Sequence, residues 1–213
     1  VFITTDAAIS PEMLTKALKG DITDTFNMVS IDGDTSTNDM VCILANGAAE
    51  NEPITKEGED FEVFKKALGM INAELCREIA KDGATKLLEC KVSGASDKPT
   101  ARTVAKSVVC STLLKAAMFG ADANWGRVLC AIGYSGADVD VNKIDVSFKS
   151  KSGEILVCQN GAGVDFSEEK AKEILLNDEI EILIDLKSGS DFAVARGCDL
   201  TYDYVKINGD YRA

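Results

Sequence analysis

"IDVSFKSKSGEILVC", Ile144–Cys158, decides the fold. Ile144–Phe148 and Glu154–Cys158 each read as a strand, and Ser152-Gly153 between them reads as a turn. Two strands that close meet as an antiparallel hairpin, which needs no crossover helix. Working outward, Ser167–Asn177 reads as a helix, with Ser167 as its N-cap and Glu168 and Glu169 suiting the helix dipole. Strands follow at Glu179–Leu186 and Phe192–Ala195, joined as a hairpin by "KSGSD", and a last strand is expected at Tyr204–Ile207. Upstream lie a strand at Lys86–Val92 and a helix over Thr100–Phe119. The longest helix runs from Glu59 to Asp82-Gly83, with Phe61, Phe64, Leu68, Ile71, Leu75 and Ile79 on one stripe. Val1–Thr5 reads as a strand. Ser10, Pro11 and Gly20 punctuate a short helix. Asn27–Asp32 and Met40–Ala45 read as two more strands. The fold class is α+β, with mixed and antiparallel sheets layered with helices. "GASDKP", Gly94–Pro99, is the expected boundary between residues 1–95 and a smaller C-terminal α+β domain, 96–213.

The totals bound the function. The 213 residues are 46% hydrophobic and 27% charged, an ordinary globular balance. The net charge of −12 argues against nucleic acid and against an anionic membrane surface as partners. Seven cysteines without a C-x-x-C pair read as small buried hydrophobes in a reduced cytoplasm, not as a disulfide or zinc framework. There is no histidine, so metal sites and catalytic arrangements built on histidine are excluded within this chain. No apolar run is long enough for a membrane span, and no signal peptide is visible. The chain does not open on methionine, so a cleavage, a trimming or an incomplete sequence is expected ahead of Val1.

Three stretches carry unusual chemistry. "SIDGDTSTND", Ser30–Asp39, packs aspartates and hydroxyls around Gly33 just before an apolar strand. It reads either as a long decorated hairpin turn or as a binding loop held between strands. "GADANWGR", Gly120–Arg127, reads as a tryptophan-plugged helix corner with Asp122 and Arg127 paired across it. "GCDLTYDYVKINGDY", Gly197–Tyr211, reads as an edge strand with a polar face.

Together, "FITTDAAIS", "DGDTSTND", "LANG", "DGATK", "FGADANWGR", "IGYSGAD" and "GCDLT-DYV-IN-DYR" are collinear from Phe2 to Arg212, and they resemble the ornithine acetyltransferase family. These are the bifunctional glutamate N-acetyltransferases of arginine biosynthesis. The resemblance implies an αββα-like layering and a precursor that cuts itself before a threonine. The released chains stay together, usually as an α2β2 heterotetramer. It also implies transfer of an acetyl group from N-acetylornithine to glutamate, with acetyl-CoA as a further donor in some members, and no metal. This chain resembles the β chain, so the nucleophilic Thr is expected three residues before Val1, and residues 1–95 are expected to complete a sheet of the α chain. A free α-amine with a pKa near 8 can take the Thr proton, which suits a chain without histidine. The oxyanion donors would come from the α chain, so this chain alone is expected to be inactive.

Carried over residue by residue, Asn208 and Ala213 fall on substrate-site positions, although Ala213 lacks the family's terminal hydroxyl. The family's D-G-E-G-A-T-K becomes Asp82-Gly83-Ala84-Thr85-Lys86, two residues shorter, so Asp82 is the candidate for the missing Glu. Arg196 stands where Trp is usual, and Thr112 where Asn is common. Asp34, Thr35, Ser36, Thr37 and Asn38 are expected beside the N-terminal strand, helping to place the nucleophile or its water. The alternative reading is a truncated or degenerate non-catalytic half of the same enzyme. It is favoured by these departures and by the start at Val1.

Overall fold

The computed structural model describes residues 1–210. They divide into two compact units, Val1–Asn27 with Asp34–Leu75, and Met28–Gly33 with Cys76 onward. The layered α+β class holds. The second unit is the larger, and Gly94–Pro99 lies inside it, running from the end of one strand into the start of the next helix.

In the first unit, strands β1 (Phe2–Thr5) and β3 (Cys42–Ala45) pair in parallel, Phe2 opposite Cys42 and Thr4 opposite Leu44. Helix α1 (Pro11–Ile22) starts where Ser10 Oγ accepts the Met13 N–H at 3.2 Å and runs past Gly20 to its cap at Thr23. Helix α2 (Glu59–Asp82) begins in this unit and ends in the second, with the bounds its pattern predicts. Ile3, Met13, Ala17, Phe61 and Leu68 form the core. The buried positions on α2 then step by four through Asn72, Cys76 and Ala80, leaving Ile71 and Ile79 of the expected stripe exposed. Asn72 Nδ2 donates to Asp21 Oδ2 at 2.7 Å, so its burial is partly offset by hydrogen bonding. The other face of β1–β3 stays bare, with Phe2 75% and Leu44 61% exposed. Parallel strands are normally covered on both faces.

The second unit is built on one seven-stranded sheet. Its members are β2 (Val29–Ser30), β4 (Leu87–Ala95), β5 (Asp145–Ser150), β6 (Gly153–Gln159), β7 (Ala162–Gly163), β8 (Glu179–Asp185) and β9 (Asp191–Cys198). Their order is β2-β9-β4-β8-β5-β6-β7. β5 and β6 form the hairpin read from Ile144–Cys158. The expected β8–β9 hairpin does not form, because β4 lies between them, parallel to β8 and antiparallel to β9. The connection instead passes the end of β4. Leu186 N donates to Ser93 O at 3.0 Å and Ser188 N to Gly94 O at 2.7 Å. Asn27–Asp32 and Met40–Ala45 likewise are not a hairpin: they reduce to β2 and β3, in different sheets.

Leu88, Cys90, Val92, Val146, Phe148, Ile180, Ile182 and Ile184 alternate onto the buried sheet face. Helix α3 (Lys98–Cys110) packs on β4 and β9, and α6 (Glu168–Leu175) on β5 and β6. The single helix expected over Thr100–Phe119 breaks at Ser111, which closes α3 and caps α4 (Thr112–Phe119) by accepting the Leu114 N–H. α5 (Trp125–Gly133) is capped by Asn124. Arg127 donates to Leu113 O at 2.7 Å rather than pairing with Asp122, and Trp125 lies against Gly163, where a Cβ would fall 2.5 Å from its ring. The expected last strand is instead helix α7 (Tyr202–Asn208), because Thr201 Oγ1 accepts the Tyr204 N–H and so caps a helix. Among the described residues, no helix is long and apolar enough to cross a membrane.

Candidate functional site

The polar stretch Ser30–Asp39 starts at the end of β2, and the second unit holds its start from several sides. Lys106 of α3 donates its ammonium to Val29 O at 2.6 Å. Cys110 Sγ lies 3.1 Å from Ser30 Oγ. Lys115 of α4 donates to Ile31 O, and its Nζ lies 3.5 Å from Cys198 Sγ. Tyr204 of α7 donates its hydroxyl to Asp32 Oδ2 at 3.1 Å. Burial pulls the Lys106 pKa down, opposed by the nearby Cys110. Burial pushes the Cys198 thiol up, and Lys115 opposes it less strongly. The upward shift favours the thiol over the thiolate, which does not suit a nucleophile.

A second strap crosses the same region. Gly83 follows the last residue of α2, and a Cβ there would sit 2.6 Å from Ile31 Cδ1 and 2.9 Å from Cys198 Sγ. Only a glycine allows that approach without movement. Beyond it, Asp199 accepts Thr85 N–H at 2.9 Å, Thr85 Oγ1–H at 2.5 Å and Lys86 N–H at 2.9 Å. The Lys86 side chain runs inward and donates to Met118 O at 2.6 Å and Leu175 O at 2.7 Å, in the last turns of α4 and α6. Helix C-termini favour a cation. Burial lowers the Lys86 pKa, and Asp199 and Asp178 partly restore it.

The stretches "IDG", "DGATK", "GCDLT" and "DYV" thus converge within the second unit. Asp82 immediately precedes Gly83, which packs on Ile31. Asn208 lies one turn beyond Tyr204 on α7, and its Nδ2 donates to Tyr204 O at 2.9 Å. Ala213 lies outside the described residues. Asp34–Asn38 fall in the first unit, where Ser36 Oγ accepts the Asp39 N–H at 3.2 Å. That segment leads to Met40, whose carbonyl accepts a hydrogen bond from the Val1 nitrogen at 2.7 Å. Among the described residues, no group of three or more His, Cys, Asp and Glu is placed to hold a metal.

Lys86, Lys106, Lys115 and Asp199 were not singled out by the sequence. Lys115 gave a signal, since it sits between Leu114 and Ala117-Met118 on the apolar face of α4, and it is 3% exposed. The open face of the sheet carries a charge ladder, with Glu89 between Arg77 and Arg196, and Glu181 between Lys91 and Lys149.

A model of the ArgJ family matches residues 1–213. The chain is 54% identical over 214 residues to the arginine biosynthesis bifunctional protein ArgJ 1 of Clostridium acetobutylicum, covering 100% of this chain and 52% of that protein. It is 52% identical over 213 residues to the arginine biosynthesis bifunctional protein ArgJ of Caldanaerobacter subterraneus subsp. tengcongensis, covering 99% of this chain and 53% of that protein. The chain spans about half the length of the curated relatives it matches. A crystal structure of the arginine biosynthesis bifunctional protein argJ from Bacillus halodurans superposes with a TM-score of 0.92 at 46% identity, covering 99% of this chain and 98% of that one.

Proposed function

The chain belongs to the ArgJ family, and on that premise we propose that it is the β chain of an acetyltransferase that moves an acetyl group from N-acetylornithine to glutamate. The observation that carries this reading is the family match along the whole of residues 1–213. In this reading the nucleophile is a threonine three residues ahead of Val1. Its hydroxyl attacks the acetyl carbonyl, the amide C–N bond breaks, and the proton taken from the hydroxyl passes to the departing ornithine amine. The glutamate amine then attacks the acetyl-threonine ester and releases the hydroxyl. The base is the α-amine of the same threonine, a role that needs no histidine. Asp82 and Asn208 contact substrate, together with Ala213. Asp34–Asn38 help to place the nucleophile, a role supported by the hydrogen bond from the Val1 nitrogen to Met40 O just beyond them.

The partner is the α chain from the same precursor, in an α2β2 assembly in the cytoplasm. The bare apolar face of β1–β3, with Phe2 and Leu44, supports a covering partner. Acetyl-CoA is a second donor only if the assembled enzyme acetylates glutamate without N-acetylornithine.

The test is to express the full-length gene, purify both chains and follow acetyl exchange between N-acetylornithine and glutamate. Exchange that disappears when the threonine at the start of this chain is changed to alanine supports the reading. An assembled protein without exchange favours the second reading, a non-catalytic half, which rests on the turn Asp82–Lys86 being two residues short of the family pattern.

A further inference from the structure

We propose that Asp199 is a positioning residue for substrate binding: it sets the turn between α2 and β4, and through that turn the direction in which Asp82 is offered to an amino-acid ammonium. This rests on the function proposed above. Asp199 is the first residue after β9 and is 1% exposed. Its carboxylate accepts three hydrogen bonds, from Thr85 N at 2.9 Å, Thr85 Oγ1 at 2.5 Å and Lys86 N at 2.9 Å. Its own N–H donates to Lys86 O at 3.3 Å. Four bonds therefore fasten Thr85 and Lys86 to one residue. Gly83 and Ala84 alone separate that anchor from Asp82 at the end of α2. With so short a tether, a shift at Thr85 must move Asp82 or unwind the last turn of the helix. Gly83 is in turn pressed on Ile31 and Cys198, so the tether has little room to absorb the shift.

A charged acceptor satisfied by three donors is worth more than a neutral one, and it fixes direction as well as distance. Asp199→Asn keeps the shape but turns one acceptor into a donor that faces the Thr85 or Lys86 donors. Thr85→Val keeps the volume and removes one of the three bonds. Thr85→Ser keeps the hydroxyl.

The experiment uses the complete two-chain protein. KM for glutamate, kcat at saturating glutamate and hydrogen exchange at the Thr85 and Lys86 amides are measured for each variant. The expected result is a rise of about 10-fold in KM for Asp199→Asn and Thr85→Val, with kcat changed by less than about 2-fold and Thr85→Ser close to the parent. A folded Asp199→Asn or Thr85→Val protein with an unchanged KM overturns the proposal. So does a Thr85→Ser protein as impaired as Thr85→Val. If Asp199→Asn does not fold, the two Thr85 variants decide. If the unaltered protein shows no exchange of acetyl groups, the proposed function falls instead. The anchor is then judged by hydrogen exchange, where undiminished protection at Thr85 and Lys86 in Asp199→Asn overturns it.

Discussion

Arg196 donates its Nε–H to Glu89 Oε1 at 3.0 Å, and Arg77 takes the other oxygen of the same carboxylate. The Glu89 side chain is 9% exposed and that of Arg196 11%, so this is a nearly buried cation–anion–cation triad on the open face of the sheet. Arg196 is accommodated because Glu89 sits directly across from it on β4. Removing the shared anion leaves Arg196 without its carboxylate and Arg77 with Glu179 alone, whereas removing Arg196 leaves Glu89 still paired with Arg77. Glu89→Ala should therefore cost about 3 kcal/mol and Arg196→Ala about half of that. Urea titration of both variants measures the difference. Equal losses would show that the triad is not organised around Glu89.

Gly83 gives a second stability prediction. Alanine there places a Cβ 2.6 Å from Ile31 Cδ1 and 2.9 Å from Cys198 Sγ. Ile31 can give way at its outer methyl, but the short Cys198 side chain cannot move without β9. Gly83→Ala should cost about 1–3 kcal/mol. Ile31→Val removes the clashing methyl, so adding it should recover part of the loss. A double variant no more stable than Gly83→Ala alone would mean that Cys198 is the whole obstacle.

The open face also sets the response to acid. At Glu181, burial raises the pKa, but the hydrogen bond and charge of Lys91, reinforced by Lys149, outweigh it and hold the group below its ordinary 4.5. At Glu179, the hydrogen bond to Lys81 dominates, burial opposes it and Arg77 adds to it, again with a net lowering. A carboxylate with a folded pKa below its unfolded one binds fewer protons in the native state. Its stabilisation is present above the ordinary value and is lost as pH falls through the folded value. Melting temperature should be flat from neutrality to about pH 5 and then decline. Glu181→Gln should shrink the decline. A variant with the parent's full acid sensitivity would remove Glu181 from the account.

The legible parts of the fold were those fixed by neighbours in sequence. α2 was bounded correctly because an apolar stripe and an Asp-Gly stop are local signals, and β5–β6 because a short turn joins them. The β8–β9 hairpin failed because nothing near "KSGSD" reveals that β4 inserts between those strands. The α7 stretch reads as a strand in sequence because its aromatic and β-branched residues outweigh the quieter cap at Thr201. At the site, the resemblance singled out Asp82 and Asn208, but not the groups that fasten the surrounding backbone. Lys115 meets a carbonyl 84 positions away, and Asp199 meets an amide 114 positions away. Backbone partners have no side-chain identity, so no residue pattern announces them.

The shortened turn gives the sharpest test of activity. Between the end of α2 at Asp82 and the Asp199-bound Thr85, only Gly83 and Ala84 intervene. The family resemblance of the sequence implies Glu-Gly there as well. Inserting Glu-Gly after Gly83 adds the residues outside the four bonds that hold Thr85 and Lys86, so β4 should keep its register and the protein its fold. A site that binds an ammonium gains strongly when a carboxylate is supplied, because a charged partner left unmatched costs about 1–3 kcal/mol or more. Because Asp82 is proposed to supply that carboxylate, the complete two-chain protein carrying the insertion should keep a KM for glutamate within about 2-fold of the parent, with melting temperature nearly unchanged, and a KM about 10-fold lower would show that the carboxylate is missing. If KM does not fall while the fold is retained, Asp82 already supplies the carboxylate. Asp82→Asn in the parent should then raise KM by a similar factor, and an unchanged KM in that variant as well would remove the α2–β4 turn from the substrate site.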